Sequence, residues 1–362
     1  MSHLRRKLLL WYDRSRRDLA WRSTREPYAI WLAEIMLQQT QVKTVEPFYE
    51  KFLKRFPDVR SLANAPLDDV LGRWAGLGYY RRAEHLHRAA KIIVQKHRGK
   101  FPPDFESILA LPGVGRYTAA AVASIAFGEP VAVLDGNVIR VLCRLLDLRR
   151  DPARPEVRKA LWETAQALIP ADRPGDYNQA MMELGATVCT PKNPACPNCP
   201  VKIYCRAFQA GNPGRLPMKS RKPARKILRR QVFVIQQGNR VLLLKRPGQG
   251  LWAGLWEFPA FPPLKQGGKP GGREKRLRQE LGLEVKLSGK SRLVRHELTH
   301  RAVICRVFSG RGLGKKTPRP RLPACDRGRY QSFRWVPLSR LDDLPISALT
   351  RKIAAATLLR SS

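Results

Sequence analysis

Acidic residues are the scarce class in this chain. Against 68 Lys and Arg stand only 29 Asp and Glu, a formal net charge of +39 over 362 residues. Solubility needs far less, so the imbalance carries the expectation of a polyanion partner held by phosphate contacts and counterion release. Charge by itself does not separate DNA, RNA and an anionic lipid surface. Long hydrophobic runs are missing too, for no stretch approaches the roughly 20 apolar residues of a membrane span. The run Leu8, Leu9, Leu10, Trp11 is too short for the core of a secretory signal and leads straight into Tyr12, Asp13 and Arg14. Cysteine is sparse, and Cys143, Cys305 and Cys325 show no pairing pattern. A reducing, intracellular protein without membrane attachment is expected. The short N-terminal lead favours a bacterial cytoplasm and its nucleoid, with a monomer as the default state.

What cysteine there is concentrates in one place. Cys189, Cys196, Cys199 and Cys205 are spaced C-x6-C-x2-C-x5-C, and unequal close spacings in a cysteine-poor chain point to metal ligation rather than disulfides. Zinc sites more often show paired C-x2-C units. Upstream lies Leu111, Pro112, Gly113, Val114, Gly115, a hairpin whose glycines allow backbone N–H groups to approach a phosphate closely. Asp135 follows Gly115 by twenty residues. Together these elements suggest a metalloprotein that grips nucleic acid.

The length allows two domains. The first part reads as helical: Pro27 opens an apolar run over residues 30–37, and Val138, Val141, Leu142 and Leu145 form an i, i+3, i+4, i+7 stripe. Phe105, Ile108 and Leu109 before the hairpin and an Ala-rich stretch over 118–127 after it give helix–hairpin–helix spacing. Residues 1–215, with the cysteine loop at 189–205, are expected to form this domain, and basic residues 216–230 a linker. Residues 231–235 and 240–244 flank Gln237, Gly238, Asn239 as a β-hairpin. Residues 231–362 are therefore expected to be α+β with a mostly antiparallel sheet, and 262–278 and 309–329, rich in Gly, Pro, Lys and Arg, to be loops.

Two acids stand out. Glu34 is the only acid between Glu26 and Glu46, and on a helix it shares a face with Ile30, Trp31, Leu37 and Gln38. Such a carboxyl has a raised pKa and suits a general acid; a partly exposed Glu in a helix ion pair would leave the same pattern. Asp135 precedes the helix that starts near Val138, where Asp is a common N-cap worth about 1 kcal/mol and where the dipole favours its ionised form. One neutral and one charged carboxyl divide the labour of cleaving a glycosidic bond.

Residues 31–40 (Trp-Leu-Ala-Glu-Ile-Met-Leu-Gln-Gln-Thr), 77–80 (Leu-Gly-Tyr-Tyr), the hairpin, 134–138 (Leu-Asp-Gly-Asn-Val) and the four cysteines resemble, in order along the whole chain, the adenine DNA glycosylase family of the helix–hairpin–helix superfamily, to which endonuclease III also belongs. The resemblance implies removal of adenine mispaired with 8-oxoguanine or guanine in double-stranded DNA, with the nucleotide flipped into a pocket. Glu34 would protonate adenine N7, and Asp135 would stabilise or trap the sugar cation. Tyr117 and Asn137 would support these two. Arg22 and Gln179 fall where relatives contact the flipped base, Gln179 replacing an acid found in some. Gln39, Thr40, Leu77 and Tyr79 would fill or wedge the duplex, and backbone near Gly113 and Gly115 would hold a phosphate. The cysteine spacing matches this superfamily's [4Fe–4S] loop. Bifunctional relatives carry a lysine where this chain has Tyr117, and a phenol forms no imine, so a monofunctional enzyme is implied.

The C-terminal part resembles the Nudix-like domain of the same family. Aligned on Glu280, Leu281, Gly282, Leu283, the pattern R-E-U-x-E-E-x-G-U meets Lys275, Arg276 and Gln279, leaving one carboxylate for a divalent metal. Pyrophosphate hydrolysis is thereby disfavoured, and a reader of 8-oxoguanine is expected, through Thr299 and His300, with Leu298 in place of the family's aromatic residue. The competing readings are a related mismatch glycosylase with another base preference, a catalytically silent damage sensor and a nucleotide hydrolase.

Overall fold

The computed structural model describes residues 2–218, 226–263, 271–298, 301–313, 319–321 and 330–358. Two units emerge: one spans Met1–Ala65 and Glu84–Lys222, the other Pro66–Ala83 and Pro223–Ser362.

The first unit is helical. Its elements are α1 (Ser2–Ser15), α2 (Pro27–Leu37), α3 (Val42–Arg55) and α4 (Val59–Asn64); α5 (Leu67–Trp74) belongs to the other unit. They continue with α6 (Arg81–Lys96), α7 (Phe105–Leu109), α8 (Arg116–Phe127), α9 (Gly136–Leu145), α10 (Pro155–Leu168), α11 (Pro174–Thr187) and the single turn α12 (Arg206–Gln209). α2 starts as its sequence requires, with Pro27 in the first turn and the Glu26 carboxylate accepting the Ala29 N–H at 2.6 Å. It is apolar on every side and is buried from Tyr28 to Met36, packed on α8. The α8 alanines Ala119, Ala120, Ala121 and Ala123 are fully enclosed. The stripe of α9 enters a core shared with α1, α8, α10 and α11 through Val138, Val141, Leu142 and Leu145. Gly185 on α11 permits close approach to α9, since a Cβ there would stand 2.6 Å from the Cβ of Asn137.

The second unit carries a seven-stranded sheet: β1 (Lys226–Gln237), β2 (Arg240–Lys245), β3 (Trp256–Glu257), β4 (Ala260–Phe261), β5 (Val285–Glu297), β6 (Arg301–Gly312) and β7 (Ser332–Pro337). The order is β3-β2-β1-β6-β5, with β4 beside β1 and β7 beside β2. The pairs are antiparallel as expected, except that β1 and β6 run parallel, Lys226 facing Arg301 through Gln236 facing Arg311. Alternation sets the two faces. Val232 and Val234 point to one, with Val303, Cys305 and Val307, beneath α14 (Ala348–Thr357). Phe233 and Ile235 point to the other, with Phe308, beneath Leu277 and Leu281 of α13 (Gly272–Leu281).

Three boundaries differ from the sequence reading. β1 begins at Lys226, so residues 226–230 of the stretch expected as linker are strand. α13 and the end of β6 occupy residues 272–278 and 309–312, which were expected to be loop because Gly, Lys and Arg outnumber their apolar anchors. Pro66–Ala83 groups with the C-terminal unit, where the Tyr80 hydroxyl donates to the Ile346 carbonyl at 2.8 Å.

Candidate active site

α2 delivers Glu34 into the helical core, where it is 6% exposed. Burial drives its carboxyl up to about 7, opposed by a hydrogen bond from the Tyr117 hydroxyl (2.8 Å to Oε2) and by the charge of Arg22, and helped by the negative charge of Asp135. Tyr117, in the first turn of α8, also approaches Met182 Sδ at 3.1 Å. Asp135 is the N-cap of α9. Its Oδ1 accepts the N–H groups of Asn137 (3.0 Å) and Val138 (2.8 Å), and its Oδ2 accepts Asn137 Nδ2 (2.8 Å). Burial raises this carboxyl as well, more than those three donors lower it. The sequence reading, from the helix dipole alone, expected the ionised form to be favoured; the cost of leaving water was the larger effect. The two carboxyls differ in their partners: Glu34 has one hydroxyl donor, from Tyr117, whereas Asp135 has three N–H donors.

Asn137 extends the site along α9. Its Oδ1 accepts Arg140 Nη2 at 2.9 Å, and Arg140 Nε donates to the Cys189 carbonyl at 2.7 Å. One turn further, Arg144 is 1% exposed and donates to the Thr190 carbonyl (2.8 Å), the Leu216 carbonyl (3.1 Å) and Cys189 Sγ (3.2 Å). Sequence reading missed both arginines. The available signal was their i, i+4 spacing on the flank of an apolar stripe. Cys189, Cys196, Cys199 and Cys205 line one small cavity with Arg144, and all four are free thiols. Among the described residues no three His, Cys, Asp or Glu side chains gather as a site for a single ion. Four unpaired thiols around a shared cavity are instead a donor set suited to a polynuclear cluster.

Arg22 and Gln179, the expected base contacts, line a common cleft of about 340 Å³ with Arg16, Thr24, Ser124 and Asp176, within the range of ligand sites. Glu34, Tyr117 and Asp135 are not in its wall; Arg22 links the two, since its charge acts on Glu34. Arg22 is committed to a further acid that sequence reading missed, Glu183, at 2.7 Å. That acid is hidden in an apolar context, and its partners lie more than 160 residues away.

The hairpin meets its steric requirement at Gly113, where φ is +78° and a Cβ would lie 2.5 Å from the Cβ of His85. The Cβ position of Gly115 is open space, and no side chain caps the first N–H groups of α8 behind it. Gln39 is exposed with φ +60°, beside half-buried Thr40. In the other unit Tyr79 is 47% exposed with φ +49°. Arg98, Asp147, Asn193 and Trp252 share this left-handed backbone, so it does not by itself single out Gln39 and Tyr79. Leu77 differs from its expected wedge role in being buried, 5% exposed. Thr299 and His300 lie outside the described residues. Within α13, Glu280 pairs with Arg276 at 3.9 Å, and Arg276 Nη1 donates to the Pro262 carbonyl, so the Nudix-type helix presents basic groups where a metal-binding relative has acids.

Residues 32–167 match the HhH-GPD superfamily of base excision DNA repair proteins, and residues 231–356 match the NUDIX domain family. An adenine DNA glycosylase of Rattus norvegicus is 42% identical, over 78% of this chain and 64% of the rat protein. One from Buchnera aphidicola subsp. Baizongia pistaciae is 39% identical, over 70% of this chain and 72% of its own length. Among solved structures, a thermostable thymine-DNA glycosylase superposes with a TM-score of 0.53 and 32% identity, covering 57% of this chain and 95% of that one. The chain thus spans under two thirds of the rat relative's length.

Proposed function

Because this chain belongs to the adenine DNA glycosylase family, we propose that it excises adenine opposite 8-oxoguanine or guanine in duplex DNA by hydrolysis of the N-glycosidic bond. The observation that carries the proposal is the buried pair of carboxyls, Glu34 near neutrality under the Tyr117 hydroxyl and Asp135 under three N–H donors. With the nucleotide flipped out, Glu34 donates its proton to adenine N7. The C1′–N9 bond then breaks with its electron pair on the base, and the carboxylate of Asp135 stabilises the cationic sugar until water adds at C1′ and its released proton restores Glu34. The products are free adenine and an abasic site. Asn137 orients Asp135, Tyr117 orients Glu34, and Arg22 and Gln179 contact the base at their cleft. Without an amine at position 117 the reaction stops at the abasic site.

The hairpin around Gly113 and Gly115 holds a phosphate, and Gln39, Thr40 and Tyr79 contact the duplex, with Leu77 as a buried support. The basic excess supplies general DNA affinity. Cys189, Cys196, Cys199 and Cys205 would ligate a [4Fe–4S] cluster, with Arg144 bonded to Cys189 Sγ; the group would anchor the basic loop at 189–205. Residues 1–215 hold the chemistry, and residues 231–362, through Thr299 and His300, read the opposite base. Among the described residues no helix is long and apolar enough to cross a membrane. The enzyme would act on DNA as a monomer in the bacterial cytoplasm.

The test incubates the protein with duplexes holding adenine opposite 8-oxoguanine, adenine opposite guanine, or thymine opposite guanine. Free adenine, with strand breakage only after alkali, is the expected result. Preferential release of thymine, the base named for the structural relative, would replace this reading.

A further inference from the structure

Glu183 stands one helical turn from Gln179 on α11, wholly shielded from solvent. Its Oε1 accepts the backbone N–H (3.0 Å) and Nε (2.8 Å) of Arg17, and its Oε2 accepts Nη2 of Arg17 (2.7 Å) and Nη2 of Arg22 (2.7 Å). Arg22 Nη1 donates back to the Arg17 carbonyl at 3.1 Å, and its guanidinium lies 5.7 Å from the Tyr12 ring centre. The Arg17 side chain is 39% exposed and is screened by water, whereas that of Arg22 is only 10% exposed. Arg22 therefore acts in a low dielectric, and at Glu34 it favours the carboxylate. A proton donor and a nearby buried cation make opposite demands, which a carboxylate bonded to that cation can reconcile.

We propose that Glu183 is a positioning residue for excision: it fixes Arg22 against the base cleft and offsets that guanidinium's charge at Glu34. The inference rests on the reading of Glu34 as the acid of an adenine glycosylase. Burial alone would raise the Glu183 carboxyl, but the hydrogen bonds from Arg17 and Arg22 outweigh it and hold it at about 2. Glu183 is therefore charged throughout the range in which Glu34 titrates. The other groups acting on Glu34 are Tyr117 on α8 and Asp135 at the start of α9. Around Arg22 the other charged or titratable groups are Arg17, Tyr12 and the cleft residues Arg16, Arg25, Asp172, Arg173 and Asp176, with Gln179 in the same wall.

Two readouts on the full chain test this: single-turnover adenine release against pH from an adenine:8-oxoguanine duplex, and the carboxyl 13C titration of Glu34, assigned by its loss in E34Q. E183Q should move the alkaline fall in rate and the Glu34 midpoint to lower pH by about half to one unit, a loss of about three- to tenfold above the midpoint. The double variant E183Q/R22Q should return both to the wild-type position or higher. R17Q, which strips hydrogen bonds from Glu183 but leaves Arg22 paired, should leave the midpoint in place. An E183Q protein slowed equally at every pH, with the Glu34 midpoint unmoved, would show a merely structural acid and overturn the proposal. If E183Q does not fold, R22Q decides: a rise of the Glu34 midpoint beyond one unit would show that the charge had never been offset. The carboxyl titration judges Glu183 whatever the substrate, and adenine release by the wild type judges the functional reading alone.

Discussion

Replacing Tyr117 by phenylalanine should widen the pH range of excision, although it removes a residue of the site. The Tyr117 hydroxyl donates to Glu34 Oε2 at 2.8 Å, and a donor to a carboxylate favours the charged form. A hydrogen bond to a charged group contributes about 1.5–3 kcal/mol, which at about 1.4 kcal/mol per pKa unit is about one to two units. Taking one unit, because the relaxed site recovers part of the loss, Glu34 moves from about 7 to about 8. The protonated fraction falls tenfold per pH unit above the midpoint, so at pH 9 the wild type retains about 1% of its plateau rate and the variant about 10%. The plateau itself should drop, because the carboxyl is less firmly oriented. The assay is single-turnover adenine release from pH 5 to 10, each profile normalised to its own plateau. An alkaline limb that stays in place or moves downward would refute the geometry on which the mechanism rests.

Other perturbations separate stability from chemistry. Glu34→Gln should keep duplex binding and lose excision. Since the folded carboxyl titrates at about 7 against 4.5 unfolded, its stabilising share is full below pH 4.5 and lost as pH rises through 7. The amide should therefore gain up to about 3 kcal/mol at pH 8 and little at pH 4 in denaturant melts, the reverse ordering refuting the assignment. Gly113→Ala, with φ +78° and the clash at His85, should cost about 1–3 kcal/mol and weaken binding to undamaged duplex; an unchanged melt would contradict it. Arg144→Met removes donors to the Thr190 and Leu216 carbonyls and to Cys189 Sγ. Purified under low oxygen, it should hold fewer than the wild type's expected about four irons per chain, full iron content showing the loop to be independent of Arg144. Deleting residues from 219 onward should leave excision measurable but erode discrimination of 8-oxoguanine from guanine by about 1–3 kcal/mol; intact discrimination would remove the reader role.

That truncation also shows where sequence reading stopped. Pro66–Ala83 stays in the truncated chain but belongs to the unit whose remainder would be deleted, and nothing in its own pattern reveals it, because the Tyr80 bond to Ile346 joins positions 266 residues apart. Local signals fared better. The cap at Asp135, the stripe on α9, the apolar α2 and the glycine at 113 all follow from short-range rules of periodicity, capping and backbone freedom, and each stands in the structure as an element or a cap. The raised carboxyl of Glu34 was legible as an acid in an apolar helix. Its size was not, since it depends on the packing of α2 against α8 and on the charge of Asp135. Glu183 was invisible for the same reason, and the i, i+4 spacing of Arg140 and Arg144 marked a pair without telling what it holds: each is a charged residue in a helix until its distant partner is known. The burial of Leu77 likewise comes from tertiary packing, which a loop tetrapeptide does not encode.

The position of the chemistry follows from treating α9 as one rigid body. Its N-cap is Asp135, its first turn contributes Asn137, Arg140 follows three residues on, and Arg144 four beyond that. From Asp135 Oδ2 through Asn137 and Arg140 to the Cys189 carbonyl, each link is a hydrogen bond of 2.7–2.9 Å. The backbone donors alone would cap the helix whichever way Asn137 pointed; the Arg140 guanidinium, bonded also to the Gly185 carbonyl at 2.6 Å, fixes that amide. A carboxylate that must meet a short-lived cation gains from such restraint, because a group already in place need not reorganise as charge develops. Two buried arginines are costly to desolvate and are retained only where several acceptors converge on them. Here those acceptors are carbonyls of the cysteine loop and of α11, so the residues that steady Asp135 are the same ones that hold the loop against the helix.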